Sequence, residues 1–226
     1  MEREIVLDTE TTGLDPAAGD RIVEIAAVEL VNFVPTDVTY QQYINPKRPM
    51  SEGAREVTGL ADEFLADFPV FSDVVDAFLD FVGDAKLVIH NAAFDIRFLD
   101  HELDRLGRPG FGMGRAVDTL ALARQKFPGA PASLDALCKR FDVDASARVK
   151  HGALLDCELL AEVYLHLIGG RQPGLAFDVA KEGGGEAVRV ARRYREPRPH
   201  EPTAEELAAH AAFISTITDP IWRRGD

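Results

Sequence analysis

Cysteine, tryptophan and long apolar runs are all scarce in this sequence of 226 residues. The two cysteines, Cys138 and Cys157, lie far apart without the spacing of a metal site. We expect both to be small core residues of a reduced, cytoplasmic protein. No apolar run approaches the length of a membrane span, so no membrane partner is expected. The first residues, MEREIVLD, enter a strand at once and do not resemble a signal peptide.

A surplus of basic residues is also absent, because the formal net charge is −13. Residues 1–170 contain 16 Lys and Arg against 29 Asp and Glu, whereas residues 171–226 contain nine of each sign. Tight autonomous binding to nucleic acid normally depends on neutralising phosphates, which this composition opposes. If the first 170 residues act on nucleic acid, they need cations, a partner that supplies the substrate, or both.

The hydrophobic fraction of 46% is enough for one packed domain, and its pattern predicts an α/β chain. Strands come first and helices alternate later, which favours a mixed sheet layered with helices. The predicted strands are residues 5–7, 21–31, 38–44 and 86–90, and the predicted helices are residues 70–82, 92–106 with Asn91 as cap, 118–126 with Asp118 as cap, 133–140 and 153–167.

The composition changes beyond residue 170. Residues 181–202 are rich in Gly, Pro and Arg, which is typical of a flexible linker. Thr203 and Glu206 then form a capping-box signature before a short helix that cannot bury its apolar side against itself. The sequence therefore predicts a domain over residues 1–170, followed by a linker and a docking tail over residues 171–226.

Two acids end the first strand, in the segment EIVLDTETTGLD at residues 4–15. Side chains alternate along a strand, so Asp8 and Glu10 point to one face and Thr9 points to the other. Two neighbouring carboxylates repel each other unless a cation or a proton separates them. An exposed strand end with solvated charges would also explain this stretch taken alone.

Two more acids interrupt the apolar sides of helices. Asp95 and Asp156 each have apolar residues three and four positions later, which places both on the side that faces the core. A carboxylate there is costly unless it is paired, hydrogen-bonded or bound to a metal. Asp100, Asp104 and Glu162 are ordinary helix acids and are assigned to solvent. One inward acid is usually a satisfied structural residue, but two of them beside the strand pair predict a site.

Four carboxylates favour hard cations such as Mg²⁺ or Mn²⁺ over zinc, and two such ions are a standard device for in-line displacement at phosphorus. His151 stands on a loop five residues before Asp156 and can supply the base, although alone it would more often be a cap or a surface residue. His90 either lines the pocket or is a core residue. The remaining histidines, which are assigned structural roles, are His101, His166, His200 and His210.

Three motifs resemble, in order and spacing, the three exonuclease motifs of the DEDDh family of 3′→5′ exonucleases. They are DTETTG at 8–13, VIHNAAFD at 88–95 and HGALLD at 151–156. The similarity covers most of residues 4–170 and points to the members that proofread for bacterial replicative polymerases. It implies an RNase H-like α/β fold, with a five-stranded mixed sheet flanked by helices.

The resemblance also implies catalytic roles. Asp8, Glu10 and Asp156 would bind one Mg²⁺ or Mn²⁺ ion. Asp8 would also contact a second ion, on which Asp95 would act directly or through water. His151 would be the general base in the release of nucleoside 5′-monophosphates from a single-stranded DNA 3′ end. A mispaired end frays more readily than a paired one, so less unpairing energy would oppose its entry.

The same resemblance extends to the substrate. It places Thr11 and Thr12 beside the terminal nucleotide and makes Glu10 and His151 substrate contacts as well. It also places Thr58 there, within the turn that Gly59 and Leu60 complete.

The tail resembles the corresponding part of the proofreading members. Its segment QPGLAF at 172–177 is similar to their internal motif for a sliding clamp, with Gln172, Leu175 and Phe177 as anchors. A chance match in a linker is the alternative. The helix at about 203–217 would hold the polymerase subunit. A domain tethered in this way meets the 3′ end at high effective concentration, so weak intrinsic affinity for DNA suffices.

Two other functions remain open at this point. A free-standing RNase or single-strand exonuclease of the same family would keep the chemistry and change the substrate, although it has no need of a linker and a docking helix. A non-catalytic adaptor between clamp and polymerase would not require the complete set of acids with His151.

Overall fold

The computed structural model describes residues 2–148, 150–169, 201–218 and 220. Five strands form one sheet in the order β3-β2-β1-β4-β5. Strand β2 is antiparallel to both β1 and β3, while β4 is parallel to β1 and β5 is parallel to β4. The predicted five-stranded mixed sheet is confirmed. The strands are β1 (Arg3–Thr11), β2 (Ile22–Val31), β3 (Val34–Tyr43), β4 (Lys86–Ile89) and β5 (Ala116–Asp118).

The helices agree with the predicted ones wherever the apolar repeat is long. They are α1 (Glu52–Thr58), α2 (Asp62–Leu65), α3 (Phe71–Val82), α4 (Ala92–Arg105), α5 (Thr119–Lys126), α6 (Leu134–Phe141), α7 (Ala153–Leu167) and α8 (Ala204–Ser215). Three elements were not predicted as such: α1, α2 and β5. Each has three to seven residues, too few for a period of 3.6 or 2 to emerge.

The sheet separates two apolar layers, and the central strand β1 contributes to both. Ile5 and Leu7 are buried in the layer that contains α3 and α4. Val6, between them, is buried in the layer that contains α6 and α7. This alternation fixes the face on which each later residue of β1 lies, so it decides which helix each polar side chain at the strand end can reach.

The parallel pairing of β1 with β4 places their carboxyl ends at the same edge of the sheet. Helix α4 begins three residues after β4 ends, and α7 packs across β1 and β2. Ligands of α/β sheets bind at such edges, beyond the carboxyl ends of the strands. The fold therefore brings the ends of β1 and β4 together with the starts of two helices.

Local details confirm some expectations and correct others. Asp118 accepts bonds from the first-turn amides of α5, as predicted, and the capping box of Thr203 and Glu206 is present at the start of α8. Asn91 stands at the start of α4 but makes no side-chain cap bond, since its backbone is left-handed (φ 66°) rather than extended. Asp100 was wrongly assigned to solvent: it is half-buried and accepts a bond of 2.6 Å from the Phe111 amide.

The remaining expectations about burial are confirmed. Asp104 and Glu162 are exposed, while Cys138 and Cys157 are buried free thiols. Within the part of the chain that the structure describes, no helix is both long enough and apolar enough to cross a membrane. The boundary near residue 170 stays a prediction.

The layer between the sheet and α3 provides a test of packing. Phe78 is fully buried, with Tyr40 and Phe111 within 6.0 Å between ring centroids. We predict that Phe78→Ala lowers the free energy of unfolding by about 3–5 kcal/mol, because the lost transfer energy is added to the cost of a cavity. Urea denaturation measures the change. Val38→Ala, on an exposed stretch of β3, is the control and should cost less than about 1 kcal/mol. Equal losses would contradict this packing.

Candidate active site

The end of β1 presents its two acids to the layer of α7. Asp8 and Glu10 follow Val6 on the same face, and Glu10 is almost completely buried. Asp8 is partly exposed and lines a cavity of about 540 Å³ that opens beside Asp156 and His151. The strand therefore delivers both carboxylates to one point, as the alternation predicts.

Helix α7 brings the next acid to the same point. Asp156 lies in its first turn and is buried, and His151 precedes the start of the helix on a loop with 46% of its side chain exposed. Ligand atoms of Glu10, His151 and Asp156 all lie within 4.8 Å of one another. Two carboxylates and an imidazole at this separation fit a divalent cation.

Asp95 reaches the site from the opposite layer. It lies in the first turn of α4 and is 3% exposed. Its Oδ1 accepts bonds from the Thr9 amide (3.1 Å) and from the Thr9 hydroxyl (2.7 Å). Thr9 points away from Asp8 and Glu10, towards α4, and there it forms hydrogen bonds with Asp95. Sequence reasoning gave Thr9 no role, although its place between two acids was a signal.

Burial opposes the ionisation of these acids, and neighbouring charges add to it. Burial, and then the charges of Asp95 and Glu10, raise the pKa of Asp8 well above its usual range. Burial and the charge of Asp156 raise the pKa of Glu10 to about 8. Burial also raises the pKa of Asp95 to about 7, against the bonds from Thr9, which favour ionisation. Buried carboxylates in this arrangement are stabilised by protons or by cations between them.

A fifth carboxylate, which sequence reasoning missed, supports the start of α7. Glu24 lies directly opposite Glu10 in the antiparallel pair of β1 and β2 and is buried. Its Oε2 accepts a bond from the Ala153 amide (3.3 Å), and its Oε1 accepts one from Gln41 Nε2 (2.8 Å). The helix that contains Asp156 is thus fixed to the sheet. The signal was an acid inside the apolar strand IVEIAAV.

An arginine was also missed. Arg148 Nε and Nη2 donate to the two carboxylate oxygens of Asp156, at 2.5 and 2.6 Å. Its Nη1 donates to Asp135, and its Nη2 also contacts the His151 ring. These contacts, led by the bonds to Asp156, raise the pKa of the guanidinium. The sequence contained no signal for this residue, because only the fold brings it to the acids.

A second hollow of about 380 Å³ lies beside Glu10. Two of the three threonines predicted to contact the substrate line it, and the third does not. Thr11 and Thr58 are part of it, together with Phe94. Thr12 is not, since it is fully buried and its hydroxyl donates to Asp20 and accepts from the Arg21 amide.

Other candidates have the following places. His90 lines the larger cavity and its Nδ1 lies 3.0 Å from the Thr119 hydroxyl. Gln172, Leu175 and Phe177 lie outside the described residues.

The comparison with known families decides the relationship. Residues 5–164 match the family model described as exonuclease. The chain belongs to the exonuclease family. Similar curated proteins include the DNA polymerase III subunit epsilon of Rickettsia felis, 50% identical over 221 residues, which cover 95% of this chain and 96% of that protein. The subunit of the same name from Escherichia coli K12 is 45% identical over 239 residues, covering 99% and 98% of the two chains.

Solved structures of exonucleases share this architecture. Exonuclease X in complex with 5′ overhanging duplex DNA is 28% identical, with a TM-score of 0.57 over 74% of this chain and 91% of that chain. The nuclease domain of 3′hExo, a DEDDh family member bound to rAMP, is 19% identical, with a TM-score of 0.62 over 74% and 92% of the chains, and it shares the fold.

These findings confirm the predicted enzyme, a 3′→5′ exonuclease. Exonucleases of the DEDDh type depend on divalent metal ions, and the cluster of Glu10, His151 and Asp156 fits such an ion.

The raised pKa of Glu10 predicts how the metal-free protein responds to pH. Between its ordinary pKa of 4.5 and about 8, the folded state holds a proton on Glu10 that the unfolded state has released. The folded state binds more protons there, so stability falls as pH rises through this window. We expect Glu10 to contribute about 2–4 kcal/mol to the fall between pH 5 and pH 8.5.

Thermal unfolding in a chelator measures this fall. Glu10→Gln should make it smaller, with the part due to Asp8 and Asp95 remaining, whereas Glu162→Gln, which removes an exposed helix acid, should leave it unchanged. A fall of the same size in Glu10→Gln as in the wild type would show that other groups cause it.

Proposed function

We propose that this exonuclease removes mispaired 3′-terminal nucleotides from DNA as 5′-monophosphates, and so proofreads during replication. The observation that supports it most is the convergence of Asp8, Glu10, Asp95 and Asp156 with His151 at one edge of the sheet. The relatives named DNA polymerase III subunit epsilon support the substrate and the setting, because they align over nearly the whole chain.

The acids are proposed to hold two ions, Mg²⁺ or Mn²⁺. Asp8, Glu10 and Asp156 would bind one of them, and Asp8 and Asp95 would bind the other. When bound, such a pair stabilises charge on the attacking and leaving oxygens of an in-line displacement at phosphorus. Thr9 keeps Asp95 oriented towards this task through its two bonds, and Glu24 keeps the first turn of α7 in place.

His151 is proposed to take the proton of the attacking water. Its ring stands at the mouth of the cavity, with Nδ1 at 3.2 Å from Asp156 Oδ2. With the proton of Nδ1 shared with that carboxylate, Nε2 is the nitrogen free to accept. Histidine is the side chain that most often acts as a general base in enzymes.

The hollow next to Glu10 is proposed to receive the terminal nucleotide. Phe94 and Val57 give it apolar surface for a base, and Thr11 and Thr58 form part of its wall. Both threonine hydroxyls donate within the protein, to the carbonyls of Gly13 and Ala54, so they shape the wall. A frayed, mispaired end would enter such a hollow at a lower unpairing cost than a paired end.

The segment after the domain is proposed to tether the enzyme. Residues 172–177 would bind the sliding clamp (beta) of the replisome, and α8 would bind the alpha subunit of DNA polymerase III. Leu207 of α8 is 55% exposed, which leaves apolar surface for a partner. The net charge of −13 supports tethering, since the domain gains little from phosphate attraction. This function places the protein in the cytoplasm, at the replisome on the nucleoid.

Digestion of two substrates tests the activity. With Mg²⁺, the wild type should release deoxynucleoside monophosphates from a 3′-mispaired primer-template faster than it degrades a matched RNA. Asp8→Ala should abolish release. His151→Ala should lower the rate about 10²- to 10⁴-fold, the usual contribution of a general base. Asp104→Ala, which removes an exposed acid of α4, is the control and should keep full activity.

Two results would contradict the proposal. Preference for RNA would favour a free-standing RNase of the same family. Absence of activity in folded wild type with Mg²⁺ and with Mn²⁺ would leave the non-catalytic adaptor.

The tether has its own test. Replacing Leu175 and Phe177 together by Ala should weaken binding to the sliding clamp about tenfold or more, as loss of buried anchors does at interfaces. Surface plasmon resonance measures the affinity, and degradation of a free single strand should be unchanged. Val188→Ala, in the linker outside the motif, is the control. Clamp binding that survives the double replacement would exclude residues 172–177 as the contact.

A further inference from the structure

Arg148 makes an unusually complete set of contacts for a residue outside any helix or strand. Its side chain is 8% exposed. It donates two hydrogen bonds to Asp156, of 2.5 and 2.6 Å, and one to Asp135, of 2.5 Å. Its Nη2 also lies 2.8 Å from His151 Nδ1. One guanidinium therefore joins a buried acid, a half-exposed histidine and an exposed acid.

The ion pairs around the site distinguish Arg148 from the other basic residues that the structure describes. Among the described residues, Arg148 is the one arginine or lysine that pairs with an acid of the cluster formed by Asp8, Glu10, Asp95 and Asp156. A planar guanidinium that binds both oxygens of a carboxylate occupies the directions from which a metal ion would approach it. Arg148 and a divalent cation thus compete for the same carboxylate oxygens.

We propose that Arg148 is an internal cation that holds Asp156 and His151 until a divalent ion displaces it, so that metal binding and release of the histidine are one event. The inference rests on the proposed metal site. It assigns Arg148 the role of a positioning residue, which acts through Asp156 and His151.

The same guanidinium covers His151. Its Nη2 lies 2.8 Å from Nδ1 and 3.4 Å from Nε2 of the histidine ring while it also binds Asp156. Once Arg148 leaves, Nδ1 can carry the ring proton and donate it to Asp156 Oδ2, which lies 3.2 Å away, and Nε2 is then free to accept a proton.

Asp135 provides the alternative partner for the displaced arginine. It lies in the first turn of α6, and 57% of its side chain is exposed. Arg148 already contacts it through Nη1, and both residues line the cavity of about 540 Å³. Arg148 can therefore leave Asp156 without losing its ion pair, by a movement within the connection between α6 and α7.

Calorimetric titration of the full-length, metal-free protein with MgCl₂ tests the competition. Arg148→Gln should bind Mg²⁺ at least tenfold more tightly than the wild type, because the competitor is gone. Arg148→Lys, which keeps the charge but loses the planar fork, should fall between them and serves if the glutamine variant does not fold. Arg124→Gln removes an arginine from the same cavity that does not pair with Asp156, and its affinity should change less than threefold.

Two results would overturn the role of Arg148. Unchanged or weaker Mg²⁺ binding in both Arg148 variants would show that the arginine supports the metal ligands. An effect of Arg124→Gln as large as that of Arg148→Gln would show a general charge effect. Wild type that binds no Mg²⁺ would overturn the metal site, and with it both proposals.

Nitrogen-15 NMR of the His151 ring gives a readout independent of activity. At pH 8, saturating Mg²⁺ should shift the ring nitrogen resonances of the wild type, because Arg148 leaves the ring. Metal-free Arg148→Gln should differ from the metal-free wild type in the same direction, whereas Arg124→Gln should behave as the wild type. Ring resonances that are the same in metal-free wild type and in metal-free Arg148→Gln would overturn the link between the arginine and the histidine.

Discussion

The burial of several carboxylates at one point is the constraint on which this structure depends. Asp8, Glu10 and Asp95 meet at one edge of the sheet with their pKa values raised, and Asp156 approaches from α7. Such a gathering is costly unless cations enter it, because burial strengthens every interaction between like charges. The apolar layers on both sides of the sheet hold the acids together. Packing therefore brings the acids together, and bound cations would balance their negative charge.

Because side chains alternate along β1, this one strand positions acids on both faces of the sheet. Val6, Asp8 and Glu10 face α7, whereas Thr9 faces α4 and grips Asp95 with two hydrogen bonds. A single strand thus supplies two of the acids directly and fixes a third through its backbone and a hydroxyl. Glu24 on the neighbouring strand then fixes the helix that carries the fourth, so no acid depends on a flexible support.

Much of this arrangement could be predicted from patterns of short range. Alternation placed Asp8 and Glu10 on one face, and helical spacing turned Asp95 and Asp156 inwards, as the structure confirms. What failed depended on the backbone path of the loops between elements. Arg148 reaches Asp156, eight positions later, through the path of the connection between α6 and α7. The left-handed backbone of Asn91, the bonds that bury Thr12 and the amides that hold Asp100 have no signature in residue type or spacing.

The separation of the acids along the chain has a consequence for biosynthesis. Asp8 is made well before Asp156, which belongs to the last helix of the layer that covers it. A nascent chain that has not yet released α7 from the ribosome holds an incomplete site, so it cannot degrade nucleic acid near the place of its synthesis. Docking of α7 also brings the final carboxylate against its repelling partners. A divalent ion would then act on maturation as well as on turnover, by favouring the closed chain over the open one.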